Sequence, residues 1–154
     1  MGRPAAADPA EASRGLVTPP HVRVALLAAS AGGVVGALAR WGLGERFPVG
    51  DGFPATVFWI NVTGSALLAA LPAIAVVRRT PWLAVFLGTG VLGGFTTMSA
   101  ASEQTVVLLD HDHTGTALVY AGGTLLAALA AVWLVDRWST PADRALLELE
   151  EADE

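Results

Sequence analysis

Leu92-Gly93-Gly94-Phe95-Thr96-Thr97-Met98-Ser99-Ala100-Ala101-Ser102 decides how the rest of the chain is read. The stretch lies midway along the third of four apolar segments, where a membrane-crossing helix ordinarily carries Leu, Ile and Val. Two adjacent glycines weaken a helix there, each by about 1 kcal/mol relative to alanine. Thr96, Thr97, Ser99 and Ser102 then bring hydroxyls to membrane depth. Backbone that leaves the helix is tolerated at that depth only when protein buries it or it lines a watery cavity. The pattern predicts a broken helix and a candidate ion site. Close helix packing through small residues accounts for the same glycines.

The surrounding composition fixes the solvent. The chain has 154 residues, 53% hydrophobic and 15% charged, with a mean hydropathy of +0.54. That is too apolar for a soluble domain of this size and predicts an all-α membrane protein in a bilayer. The absence of cysteine excludes disulfides and thiolate metal sites. The net charge of -5 is concentrated in the last fourteen residues, Pro141 to Glu154. There Asp143, Glu148, Glu150, Glu151, Asp153 and Glu154 stand against Arg144 alone. The remainder is near neutral, so no nucleic-acid partner is expected.

Four spans are predicted, at about residues 22–43, 55–77, 82–109 and 116–138, making a membrane domain of residues 22–138. Residues 1–21, rich in Ala and Pro, read as a disordered N-terminal tail. No charged start leads directly into an apolar stretch there, so no removable signal peptide is expected. Residues 139–154 read as an acidic C-terminal tail, a short helix or disorder after Pro141.

Each span carries polar or small residues out of place in plain hydrocarbon. In the first, Gly32 and Gly36 are four apart, so a neighbouring helix can approach one face closely. Arg40 beside Trp41 fits either interfacial anchoring or the entrance of an anion path. Asn61, several residues inside the second span, needs partners in hydrocarbon. It is either glue between helices or a donor facing a pore. The third span has 28 residues where about 20 suffice for a straight crossing, and a break at Gly93 to Thr97 absorbs the surplus. Glu103 and Gln104 lie towards its far end; Glu103 could be a partner, a vestibule charge or a proton site. His111 and His113 in the third loop read as a solvated turn rather than a metal site. Tyr120 and Thr124 in the fourth span are one helical turn apart, so both hydroxyls can address one neighbour.

Orientation follows from arginine. The N-terminal tail, second loop and C-terminal end hold Arg3, Arg14, Arg23, Arg78, Arg79, Arg137 and Arg144, against Arg40 and Arg46 opposite. Seven against two predicts both termini in the cytoplasm.

Taken in order, four pieces carry a resemblance: Gly36-Ala37-x-x-Arg40-Trp41, Asn61-x-x-Gly64-Ser65, Gly93-Gly94-x-Thr96-Thr97-x-Ser99 and Tyr120-x-x-x-Thr124. One falls in each span, and together they resemble the Fluc (CrcB) family of small fluoride channels over roughly Val22 to Trp138. The resemblance implies an antiparallel, dual-topology-type dimer in a bacterial cell membrane, with two narrow pores passively exporting cytoplasmic fluoride and so lowering its toxicity. It also implies a structural sodium ion (Na+) at the dimer centre, held by backbone carbonyls of Gly93 and Thr96 from both subunits. By the same resemblance Asn61 is the amide donor along the pore and Arg40 a basic group near its vestibule. Thr97, Ser99, Tyr120 and Thr124 are implied to belong to its polar lining, with Met98 at a pore position. Fluoride is small and strongly hydrated, so such a pore must replace water with Asn N–H groups, hydroxyls and positive aromatic edges.

The chain departs from that family where phenylalanines are usual: Met98 and Ala101 stand there, without ring edges. The family's usual acid falls at Gln104, with Glu103 one residue early. A subunit that pairs antiparallel with itself should have little arginine bias, and this one has a strong bias. Both features point to an oppositely oriented homologue as partner, with one degenerate pore. Two other readings compete: a small proton-coupled transporter of another solute, and a non-conducting partner subunit of a heterodimeric channel. The transporter would want a carboxylate in the first span, and Val22 to Leu43 has none. No nucleophile–base pair is apparent in the sequence, so an enzyme is not expected.

Overall fold

The computed structural model describes the backbone of residues 20–50 and 52–152, with side chains from His21 to Trp138. The tail predicted over residues 1–21 lies outside the described residues, except where its end opens the first helix. Helix α1 covers Pro20–Arg46, α2 covers Ala55–Ala70, and α3 is the short Ala75–Arg78. The third span opens as α4, Pro81–Ala84, and widens into a π-helical stretch at Val85–Leu92. It returns to α geometry in α5, Gly93–Phe95, and resumes after a break as α6, Met98–Asp110. Helix α7, Thr114–Ala152, completes the bundle, its backbone staying helical past Pro141. All regular structure among the described residues is helical.

Four stretches are long and apolar enough to cross a bilayer: His21–Arg46, Ala55–Ala73, Pro81–Asp110 and Thr114–Trp138. At most 17% of the most apolar window of any of them is buried inside the protomer. The hydrophobic surface therefore points outward, as a hydrocarbon solvent allows and water does not. The chain is a multi-pass membrane protein. All five tryptophans are exposed, and Trp41 and Trp138 lie near the ends of their spans, where amphipathic rings favour the membrane interface.

Local chemistry explains where the helices stop. The second apolar stretch is not one helix to Val77; it tightens into a 3-10 turn at Leu71–Ala73 and extends at Ile74. Pro72 causes this, because it lacks the N–H that an α-helix would use there. At the end of α6, the His113 N–H reaches the Leu108 carbonyl at 2.8 Å and the Asp112 N–H the Leu109 carbonyl at 3.1 Å. That is a Schellman ending, with Asp112 at φ 60° in the left-handed position usually taken by glycine.

Helix α1 docks along the π-helical stretch and α5, and the contact is backbone to backbone. A methyl group at Gly32 would collide with the Phe86 carbonyl oxygen, and one at Gly36 with that of Val91. Gly32 and Gly36 thus serve close helix approach, which places Arg40, one turn further on, beside the break. The remaining core lies among α2, α6 and α7, where Val57, Ala101, Leu108, Ala117 and Tyr120 are buried together. Gly36→Ala is expected to lower stability in detergent by about 1–3 kcal/mol through overpacking. Gly122→Ala, facing open space, should be neutral or stabilising by up to about 1 kcal/mol. Thermal unfolding of the two purified variants checks the contrast.

Candidate functional site

The third span leaves the helix at two residues, Thr96 (φ -73°, ψ 153°) and Thr97 (φ -150°, ψ 116°). The glycines before them stay helical, with Gly93 at φ -65°, ψ -35°. The extended pair is held from α2. Asn61 Oδ1 accepts the Thr97 N–H at 2.8 Å, and Asn61 Nδ2 donates to the Thr97 carbonyl at 3.0 Å. One side-chain amide thus satisfies both polar groups of one residue, groups that would be costly to leave unpaired in a membrane interior. Of the two roles open to Asn61, interhelical glue occupies its oxygen and one N–H; a second N–H remains.

The clamp has a consequence one turn back. In an unbroken helix the Thr97 N–H would close onto the Gly93 carbonyl. The Ala100 N–H, which would close onto Thr96, goes instead to Thr97 Oγ1 at 3.2 Å, capping α6. Gly93 and Thr96 therefore both lose their i+4 donors. The Thr96 hydroxyl turns back to the Leu92 carbonyl at 2.9 Å, and its methyl packs against Gly64, where no larger residue fits. From the other side, Arg40 Nε donates to the Gly94 carbonyl at 3.2 Å. Arg40 is half-buried and turned onto the third span.

Two clefts meet at Thr97. A groove of about 420 Å³ is lined by one stripe from each of three helices: Asn61, Ser65 and Leu68 on α2, Met98, Ala101, Ser102 and Thr105 on α6, and Ala121, Thr124, Leu125 and Ala128 on α7. Thr96 and Thr97 close its end. On the other side, a cleft of about 390 Å³ holds Arg40, Trp41, Glu45, Thr97 and Gln104. A third, of about 520 Å³, takes in Glu103, Gln104, His111 and His113 near the loop end. Gln104 borders both of the latter two. The groove offers the Ser65 and Ser102 hydroxyls and an amide N–H to an anion, the Thr96, Thr105 and Thr124 hydroxyls being spent on backbone carbonyls, whereas the break offers carbonyl oxygens to a hard cation.

The structure gathers Asn61, Thr97, Met98 and Thr124 at the groove. Ser99 lies at the break, its hydroxyl 3.2 Å from that of Thr97, and is exposed. Met98 is 77% exposed and projects outward, while Ala101 is buried. Tyr120 and Thr124 do not address one neighbour. The Thr124 hydroxyl donates to the Tyr120 carbonyl at 2.6 Å, and the Tyr120 hydroxyl donates to Gln104 Oε1 at 2.6 Å. Tyr120 is fully buried, away from the groove. Sequence reasoning passed over Thr105; the spacing 98, 101, 102, 105 on one helical face is the signal that finds it. His111 Nδ1 pairs with the Val107 carbonyl at 2.8 Å, and the described residues hold no group of three metal-ligating side chains.

A family model described as CrcB-like protein, Camphor Resistance (CrcB), matches residues 27–135, which contain the break, the clamp and the groove. The chain belongs to the CrcB family. A curated relative from Ruegeria sp. (strain TM1040), named fluoride-specific ion channel FluC, is 40% identical over 113 residues, covering 70% of this chain and 90% of its own. One from Caulobacter vibrioides with the same name is 38% identical over 114 residues, covering 70% and 89%. Fluoride-specific ion channel FluC 3 of Streptomyces avermitilis is 42% identical over 118 residues, covering 74% of this chain and 58% of its own.

Within this CrcB chain, Asn61→Leu removes both bonds to Thr97 at similar side-chain volume. The expected loss is about 1–2 kcal/mol, since each buried backbone group is left without its partner. Asn61→Asp keeps the acceptor but not the donor and should not fully restore stability. Unfolding midpoints in detergent for the two variants check this.

Proposed function

We propose that the chain is a subunit of a fluoride-selective channel that lets cytoplasmic fluoride leave passively down its electrochemical gradient. The observation that carries this reading is the groove of amide and hydroxyl donors beside the broken third span, in a chain whose relatives bear the name fluoride-specific ion channel. The groove is open along one side of the protomer, and Met98 stands exposed at its edge. A second, antiparallel subunit closes it in this reading. In the orientation that the arginine bias favours, both termini of a subunit lie in the cytoplasm of a bacterial cell, and its antiparallel partner is inverted.

The Gly93 and Thr96 carbonyls suit a structural sodium ion at the centre of such a dimer. Their own helical donors are diverted, Gly93 is exposed, and oxygen is the donor type a hard cation takes. Held by these carbonyls, a sodium ion would supply positive charge between the two breaks. Asn61 and the Thr97 cap keep the two carbonyls free of intrahelical bonds. Fluoride removal by this route lowers toxicity, because fluoride that enters as neutral acid ionises inside and is otherwise trapped.

A second reading has its own support: this chain is one half of a heterodimer. Met98 and Ala101 offer no ring edges to the groove, the arginine bias favours a single orientation, and some relatives carry the numbers 2 and 3 in their names. Liposomes holding the purified chain alone decide between the two. Fluoride efflux with chloride retained is expected of a self-paired channel. Efflux only after co-expression with an oppositely oriented homologue supports the heterodimer, and silence in both settings overturns the channel reading.

A further inference from the structure

Helix α7 carries a further set of side chains on the face turned away from the bundle. Ala117, Tyr120 and Thr124 mark its buried side. At the helical turn angle, Leu126, Leu129, Trp133 and Arg137 fall on the opposite side, within about 80° of one another. All four are exposed, and none lines any of the three clefts.

The stripe ends in a cation–π pair. The Arg137 guanidinium carbon lies 5.6 Å from the Trp133 ring centroid. Stacking uses the flat face of the guanidinium and leaves its fork of N–H donors open in the plane. Arg137 makes no ion pair among the described residues, and the adjacent Asp136 is itself engaged. Arg137 is the penultimate residue of the Thr114–Trp138 span, which puts the guanidinium at headgroup level. From Leu126 to Arg137 the helix rises about 16 Å, close to the hydrocarbon depth of one leaflet, about 15 Å. The other end of α7 has no counterpart: Leu118 and Val119 are exposed there, but the helix begins Thr114-Gly115-Thr116, without a basic or aromatic residue.

Read from the membrane interior outward, the stripe is aliphatic, then an indole, then an uncompensated guanidinium. A phospholipid runs in the same order: acyl chain, glycerol ester, phosphate. An arginine fork matches the phosphate oxygens, and its unpaired positive charge favours a headgroup of net negative charge.

We propose that this stripe seats one anionic phospholipid. Its phosphate takes the Arg137 N–H fork and its acyl chain runs along Leu129 and Leu126. Trp133 is the positioning residue that holds the guanidinium over the chain. The seat lies off the groove and clefts, so it stands or falls apart from the fluoride-channel reading.

Native mass spectrometry of the full-length protein, titrated with phosphatidylglycerol and with phosphatidylcholine, tests the seat. Phosphatidylglycerol is expected to saturate one site per protomer at about tenfold lower concentration than phosphatidylcholine. Arg137→Gln should abolish that preference while keeping the elution volume of the native protein. Trp133→Leu preserves an apolar stripe but removes the stack, and should weaken phosphatidylglycerol alone. Arg46→Gln is the matched control, because Arg46 also lies over a ring, that of Phe47 at 5.2 Å, but off the stripe. It should leave the preference intact. Equal binding of the two lipids, or a preference that survives Arg137→Gln, overturns the proposal. Displacement of phosphatidylglycerol by inorganic phosphate overturns it in favour of a free phosphate. A stripe covered by a second copy of the chain shows itself as no lipid bound in the native assembly, and overturns it too.

Discussion

The structure depends on one pairing: the Asn61 side-chain amide against the peptide edge of Thr97. Hydrocarbon does not forgive unpaired backbone, so a helix can be interrupted at membrane depth only if something replaces its lost hydrogen bonds. Asn61 does so with a donor and an acceptor in the geometry a neighbouring strand would use. Thr97 then caps the helix that follows with its own hydroxyl. The break thus costs few unsatisfied groups, and it frees the Gly93 and Thr96 carbonyls from their usual partners.

The rest of the fold brings the clamp into reach. Helix α1 lies so close to the third span that backbone meets backbone at Gly32 and Gly36, and this closeness lets Arg40 cap the Gly94 carbonyl. The π-helical stretch Val85–Leu92 forms the other side of that contact. Its wider turn leaves room for glycine backbone to nest, consistent with the place of such stretches near functional sites. On the far side, α6 and α7 are joined by the hydrogen bond from the Tyr120 hydroxyl to Gln104. Polar chemistry is concentrated in one band of an otherwise apolar protomer.

Much of this was legible in the sequence, and the limits are physical. Hydropathy alone gave the four apolar spans, because the bilayer sets a length that few other environments require. The paired glycines marked the right region for the wrong local reason. Gly93 and Gly94 remain helical, and Gly94 packs against Gly33, while the extended residues are the β-branched Thr96 and Thr97, which suit that geometry. The π-helical turns left no trace, since no residue type specifies i+5 bonding. Asn61 was recognisable as a polar residue needing partners, but which atoms it would meet depends on a residue 36 positions away. The partnership of Tyr120 with Gln104, rather than with Thr124, likewise turns on the angle between two helices, which spacing along one helix cannot supply.

The central claim is that the break belongs to the protomer's own fold, with Asn61 holding it open. Amide hydrogen exchange at Thr97 tests this most directly, because that N–H has no helical acceptor and only Asn61 Oδ1 to protect it. The account predicts exchange as slow as that of neighbouring helical amides in the native chain, becoming fast in Asn61→Leu while amides within α7 are unaffected. Fast exchange at Thr97 in the native chain, or protection that survives the substitution, would contradict it.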